Sequence, residues 1–274
     1  MPSGFMNKSA YEKYVTDHSA SVITQKEIDD IKATLKPLIG VQFNVLSIPE
    51  EILKSFEPSQ VGTIIGTLMD ACIPQLPKLT DSNEFDAVGL SKNEGIFGER
   101  EGYPDYLHTS GKRLELKLLF VDNPNIDMKK PPTPREPSAR LTQKVTFKNV
   151  MPDKDMLLVI AYALKERLDK KGVCSPTIID YNFFSVYECI LARDRRMYDC
   201  NGGWFGNFET PTILSKLGKE KLKKNIAIDY SSYGRKEKEG KDLNEDTNFG
   251  KLKRIPYQPL HDYIVPNHFE EFFS

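Results

Sequence analysis

The stretch Met156-Leu-Leu-Val-Ile-Ala-Tyr-Ala-Leu164 has no polar position at which a surface helix could meet water. An amphipathic helix needs such a face, so this run reads instead as a strand buried on both sides. A second apolar segment, Pro176 to Phe184, reads as the next strand, and Ser185 to Arg196 as a helix after it, capped by Ser185. Strands buried on both faces require covering layers on both sides. The expected fold is α/β (α+β). Lys165 to Gly172 reads as a charged turn or short helical exit between the two strands.

Upstream, Tyr103-Pro-Asp-Tyr-Leu-His-Thr-Ser-Gly-Lys-Arg-Leu-Glu-Leu-Lys-Leu-Leu-Phe120 has the grammar of a hairpin. Side chains alternate along a strand, so Glu115 and Lys117 point one way. Leu114, Leu116 and Leu118 point the other way, into a core. The turn residues of His108 to Lys112 let Asp105 return beside Glu115. Two carboxylates and an ammonium then converge, which is equipment for holding a divalent cation and a water against a phosphodiester. The bland alternative is a solvated Glu-x-Lys pair on an exposed strand. His108 reads as an exposed turn histidine.

Pro104, Asp105, Glu115 and Lys117 resemble the motif of the PD-(D/E)xK nuclease superfamily. The layout of roughly residues 60 to 200 resembles a type II restriction endonuclease. The resemblance implies a restriction-endonuclease-like fold, with a central mixed β-sheet flanked by helices, and a sequence-specific, Mg²⁺-dependent endonuclease acting on double-stranded DNA. It implies Asp105, Glu115 and the backbone carbonyl of Leu116 as Mg²⁺ ligands. Lys117 would orient or help deprotonate the attacking water. It also implies a homodimer, and a cognate DNA methyltransferase as a functional rather than physical partner. Relatives often carry an extra acid on a preceding helix, for which Asp70 and Glu84 are candidates; each also reads as an ordinary surface acid. The alternatives are a repair or recombination nuclease of the same superfamily, and a non-catalytic DNA-binding α/β protein.

The rest of the chain is divided here into a mainly helical part (1–75), a catalytic core (76–200) and a C-terminal accessory part (201–274) of one nuclease domain. Thr24-Gln-Lys-Glu27 is a capping box, followed at helical spacing by Ile28, Ile31 and Leu35 and ended by Pro37 and Gly40. Ser59 is a candidate cap for the next helix. Its stripe of Val61, Ile64, Ile65, Leu68, Met69 and Cys72 predicts core packing. Gly62 and Gly66 lie one turn apart and permit close backbone approach. Residues 80 to 102 read as a loop leading into the site.

Five prolines between 124 and 137 exclude a regular helix or central strand there. Lys129, Lys130, Arg135, Arg140, Lys144 and Lys148 follow the hairpin. They are candidates for contact with a phosphate backbone, with Arg140 the preferred single choice; the alternative is a stiff surface loop. Arg193, Arg195 and Arg196 read as favourable charge at a helix C-terminus. The aromatic loop Asn201 to Phe208 reads as a turn folded onto the core or a base contact. The run of lysines from Lys216 to Lys224 reads as a solvated face or a phosphate contact, and Arg235 to Asp246 as a mobile loop. The end from Ile255 to Phe273 is expected to pack back onto the domain.

Lys and Arg number 38 against 39 Asp and Glu, a formal net charge of -1. A protein that merely coats nucleic acid is usually basic, so binding would rest on charge concentrated in a cleft. Cys72, Cys174, Cys189 and Cys200 have no Cys-x-x-Cys pairing, and no secretory signal or transmembrane run is evident. They read as reduced thiols in a cytoplasmic protein, with no structural zinc and no membrane partner. No P-loop, paired histidines or Gly-x-Ser-x-Gly points to another chemistry.

Overall fold

The computed structural model describes residues 23–80, 83–93, 103–131, 137, 139–141, 145, 150–200, 220, 223–225 and 250–264, without the side chains of 80, 83, 84, 87 and 197–200. Contacts group the chain into two compact units. One comprises Ile23–Ala139, Lys154–Ser185 and Asp262–Ser274; the other comprises Met1–Val22, Arg140–Asp153 and Val186–His261.

The first unit holds a six-stranded mixed sheet. Its strands are β1 (Ile48–Pro49), β2 (Leu90–Lys92), β3 (Tyr106–His108), β4 (Arg113–Phe120), β5 (Asp155–Arg167) and β6 (Lys170–Ser185), in the spatial order β1-β6-β5-β4-β3-β2. The β4–β5 pair is parallel, in register from Arg113 opposite Asp155 to Phe120 opposite Tyr162. All other pairs are antiparallel. The two apolar runs are strands as expected, but both are longer than expected. Charged Lys165–Arg167 continue β5, and the exit is a tight turn at 168–169 into β6, not a helix. Pairing with β6 holds these polar residues extended, which local propensity does not specify.

Helix α1 (Gln25–Leu35) begins at Thr24, whose hydroxyl accepts from the Glu27 N–H while the Glu27 carboxylate accepts from the Thr24 N–H. It ends at a 3₁₀ turn containing Pro37, and Gly40 follows with φ +85°. After the short α2 (Glu50–Leu53) comes α3 (Pro58–Cys72). Ser59 does not cap it. Pro58 takes the first turn, where its missing N–H costs nothing, and the Gln60 side chain accepts from the Glu57 N–H at 2.9 Å. The apolar stripe divides. Val61, Ile65 and Met69 are buried, whereas Ile64 and Leu68 are 56% and 44% exposed.

The glycines of α3 do permit close approach. A Cβ on Gly62 would sit 3.0 Å from Cβ of Phe120, and one on Gly66 would sit 3.3 Å from the Tyr162 hydroxyl. That hydroxyl donates to the Gly62 carbonyl at 2.9 Å, tying the helix to β5. Beneath α3, the core holds Leu114 and Leu116 of β4 with Met156, Leu158, Ile160 and Tyr162 of β5. Leu118 and Phe120 pack at its margin. Helix α4 (Leu76–Thr80) follows α3 and precedes β2.

In the second unit, helix α5 (Val186–Cys200) runs past Arg196 to Cys200. Arg193 is therefore interior to the helix and fully buried. Its Nε lies 2.7 Å from the Asp194 carboxylate, and its Nη2 donates to the Val145 carbonyl at 2.8 Å. Arg140 forms an isolated bridge with Lys251, and the Leu141 N–H donates to the Gly250 carbonyl. The final described helix, α6 (Gln258–Ile264), has Gln258–His261 in this unit and Asp262–Ile264 in the first; Leu260, Tyr263 and Ile264 are buried. Cys72, Cys174 and Cys189 are free thiols. Among the described residues, no helix is long and apolar enough to cross a membrane.

Candidate active site

Strands β3 and β4 pair with Tyr106 opposite Leu114 and Leu107 opposite Arg113. Gly111, at φ +82°, supplies the left-handed residue of the turn. This register carries Asp105 back beside Glu115, on the face away from the α3 core. Lys117 Nζ lies 2.6 Å from Glu115 Oε1 and 3.8 Å from Asp105 Oδ2. The Asp105 carboxylate also accepts the Leu116 N–H at 2.8 Å, where regular pairing with β3 has stopped. The N–H and C=O of one strand residue leave on the same side. The Leu116 carbonyl therefore leaves β4 on the side of Asp105.

The hairpin thus brings Asp105, Glu115, Lys117 and the Leu116 backbone to one place. Glu115 is buried and Lys117 nearly so, with the apolar side chains of Leu157 and Val159 beside them on β5. Burial raises the Glu115 pKa to about 7; the Lys117 ammonium opposes the shift and the Asp105 carboxylate adds to it. Lys117 is itself raised. Burial alone would lower it, but the carboxylates of Glu115, Asp105 and Asp70 hold its proton.

This gives the first expected result. Without divalent cation, folded Glu115 holds its proton more tightly than the unfolded chain does. Its contribution to stability is fully present below about pH 4.5 and is lost as pH rises through about 7. The loss approaches about 3 kcal/mol. In EDTA, melting temperature should fall across this window more steeply for the wild type than for Glu115→Gln, whose amide does not titrate. Parallel curves would refute the assignment.

Asp70 does not join the cluster as a third oxygen ligand. Its carboxylate receives Lys92 Nζ at 2.9 Å and the Tyr106 hydroxyl at 2.8 Å. The Glu84 side chain lies outside the described residues. His108 is buried, not exposed. The Ser110 N–H donates to its Nδ1, and Thr34 Oγ1 of α1 lies 3.1 Å from its Nε2. Burial lowers its pKa, so it serves as a neutral structural group in the turn.

Lys129 and Lys130 are exposed in the coil after β4. Arg140 belongs to the other unit. Arg135, Lys144 and Lys148 lie outside the described residues, as do the loop 201–208, Lys216, Lys219, Lys221 and the stretch 235–246.

Two features of the site have no local sequence signal. Asn93, in a stretch that reads as loop, clamps the residues before β3: its Nδ2 donates to the Pro104 carbonyl at 2.8 Å and its N–H to the Asp105 carbonyl at 2.9 Å. Asp155, at the head of β5, is fully buried; its Oδ2 accepts the Tyr103 hydroxyl at 2.6 Å, and its Oδ1 forms an ion pair with Arg113 Nε at 3.0 Å.

Among the described residues, no group of three or more His, Cys, Asp or Glu side chains converges to hold a metal ion. The donors here are two carboxylates and a main-chain carbonyl. This hard-oxygen set suits Mg²⁺, which keeps several waters of its own. Burial, with the Asp105 carboxylate adding to it, raises Glu115, and a bound divalent cation would favour the ionised form against both. No family model, curated protein or solved structure matches this chain.

Proposed function

We propose that this chain is a metal-dependent endonuclease of the PD-(D/E)xK kind, with a restriction-endonuclease-like fold. We read it as a type II restriction enzyme that hydrolyses phosphodiester bonds of double-stranded DNA. The observation that carries the reading is the convergence of Asp105, Glu115 and Lys117 on one face of β4, with Glu115 buried and its pKa raised. Asp105, Glu115 and the Leu116 carbonyl would hold Mg²⁺. When bound, the ion polarises the scissile phosphate and lowers the pKa of a water.

The chain's own residues do the rest. Ionised Glu115 and Asp105 fix the position of the charge. The Leu116 N–H keeps the Asp105 carboxylate in place. Lys117, held cationic by its carboxylate neighbours, orients the attacking water and offsets the charge of the pentavalent phosphate.

Incubation with phage DNA and Mg²⁺, followed by mapping of the ends, tests this directly. Discrete fragments support a restriction enzyme. A smear or junction-specific products support a repair or recombination nuclease. No cleavage of any DNA substrate, with binding retained, supports the non-catalytic binder. Cutting both strands of a palindrome calls for two sites, so a homodimer is expected in sedimentation, alone or on DNA. A neighbouring methyltransferase gene would fit the same reading.

Lys129 and Lys130 are proposed to contact phosphates. Replacing both by Ala should weaken binding on all sequences alike. It should also flatten the dependence of log affinity on log salt by about two units. An unchanged slope would remove them from the interface.

A further inference from the structure

Asp105 and Glu115 sit on different arms of the hairpin, yet each is preceded two positions earlier by a side chain bound to the same carboxylate. Tyr103 donates its hydroxyl to Asp155 Oδ2 at 2.6 Å, and Arg113 Nε lies 3.0 Å from Asp155 Oδ1. The Arg113 guanidinium also stands 5.4 Å from the centre of the Tyr103 ring. Arg113 and Asp155 are register partners across the parallel β4–β5 pair. The period of two then puts Arg113, Glu115 and Lys117 on one face of β4.

Asp155 is fully buried at the start of β5, directly before the apolar run Met156 to Leu164. Burying a carboxylate is costly unless it is paired and hydrogen-bonded. Here Oδ2 is hydrogen-bonded to one arm of the hairpin through Tyr103, and Oδ1 is ion-paired with the other through Arg113. Regular β3–β4 pairing has ended before Asp105, so the backbone ladder does not by itself set the distance between the two carboxylates. The Asp155 clamp spans that gap.

We propose that Asp155, with Tyr103 and Arg113, is a positioning device that sets the spacing of Asp105 and Glu115 for a divalent cation. The inference rests on the nuclease reading above. None of the three touches the reacting atoms. Their effect passes through the two carboxylates, as partners behind metal ligands commonly do.

The test is Mn²⁺ binding, followed by the electron paramagnetic resonance of the free ion, on wild type, Glu115→Gln, Tyr103→Phe and Asp155→Asn. Ile65→Val, a core change under α3, serves as a control for lost stability. Tyr103→Phe removes one hydroxyl and keeps the ring, so it is the variant best placed to stay folded. It should weaken Mn²⁺ about tenfold. It should also lower kcat on DNA with KM unchanged, while Ile65→Val leaves Mn²⁺ affinity intact. Wild-type Mn²⁺ affinity in both Tyr103→Phe and Asp155→Asn, with affinity lost in Glu115→Gln, would overturn the clamp and leave the nuclease reading standing. Equal Mn²⁺ binding by wild type and Glu115→Gln would overturn the metal site, and the clamp with it.

Discussion

Glu115→Gln, Asp105→Asn and Lys117→Ala are each expected to cut DNA at least about 10³-fold more slowly than the wild type. Glu115→Gln keeps the shape and hydrogen-bonding capacity of the side chain but removes the charge that would hold a cation. Asp105→Asn disables the other carboxylate and leaves an oxygen for the Leu116 N–H. Lys117→Ala removes the ammonium between them. These changes act mainly on the transition state, so DNA affinity should survive. All three variants should fold, because the core-facing residues of β4 are Leu114 and Leu116. A structural ion pair predicts the opposite pattern for catalysis: Lys117→Ala would leave any cleavage largely intact, whatever its melting temperature. Near wild-type cutting by all three variants would remove this hairpin from the chemistry.

The largest expected effect on stability lies in the other unit. Arg193→Met should destabilise the protein by about 3–5 kcal/mol. Its guanidinium is fully buried, paired with Asp194 and bonded to the Val145 carbonyl. Methionine fills much of the space but leaves a carboxylate in an apolar site, and burial already raises the Asp194 pKa. The double variant Arg193→Met/Asp194→Asn should recover part of the loss, because it removes the stranded charge. Urea denaturation of the two variants decides this. A double variant no more stable than the single one would show that packing around Arg193, not the ion pair, sets the cost.

What the sequence reveals here is what short-range chemistry determines. The β3–β4 hairpin is legible because its leucines alternate and its turn contains glycine. The start of α1 is legible because a capping box involves residues three apart. Strand β5 is legible because its apolar run leaves no solvent face. Features made by distant partners are not legible. His108 reads as an exposed turn residue, yet Thr34 receives it into a buried site. Arg193 reads as charge at a helix end, but its partners include a carbonyl 48 positions earlier. Strand β2 has three residues and no strong β-formers, and it exists through pairing with β3. Asp155 stands before an apolar strand like any boundary acid. Its role depends on Tyr103, which is 52 positions away.

The margins of the sheet constrain how two copies could meet. Its central strands are long, 13 residues in β5 and 16 in β6, but its outer strands are two residues in β1 and three in β2. Beside β1, the flank of β6 is bonded to the segment from Gly40 to Phe43, through Ile178 and Pro176. Pro49 in β1 has no N–H to offer a newcomer. Long unpaired edges invite strand addition and aggregation, and such short ones resist both. A dimer that cuts both strands of DNA would therefore not be a continuous twelve-stranded sheet. Its two copies would join through side-chain surfaces, so changes in oligomeric state should follow substitutions on helices and loops and be insensitive to β1 and β2.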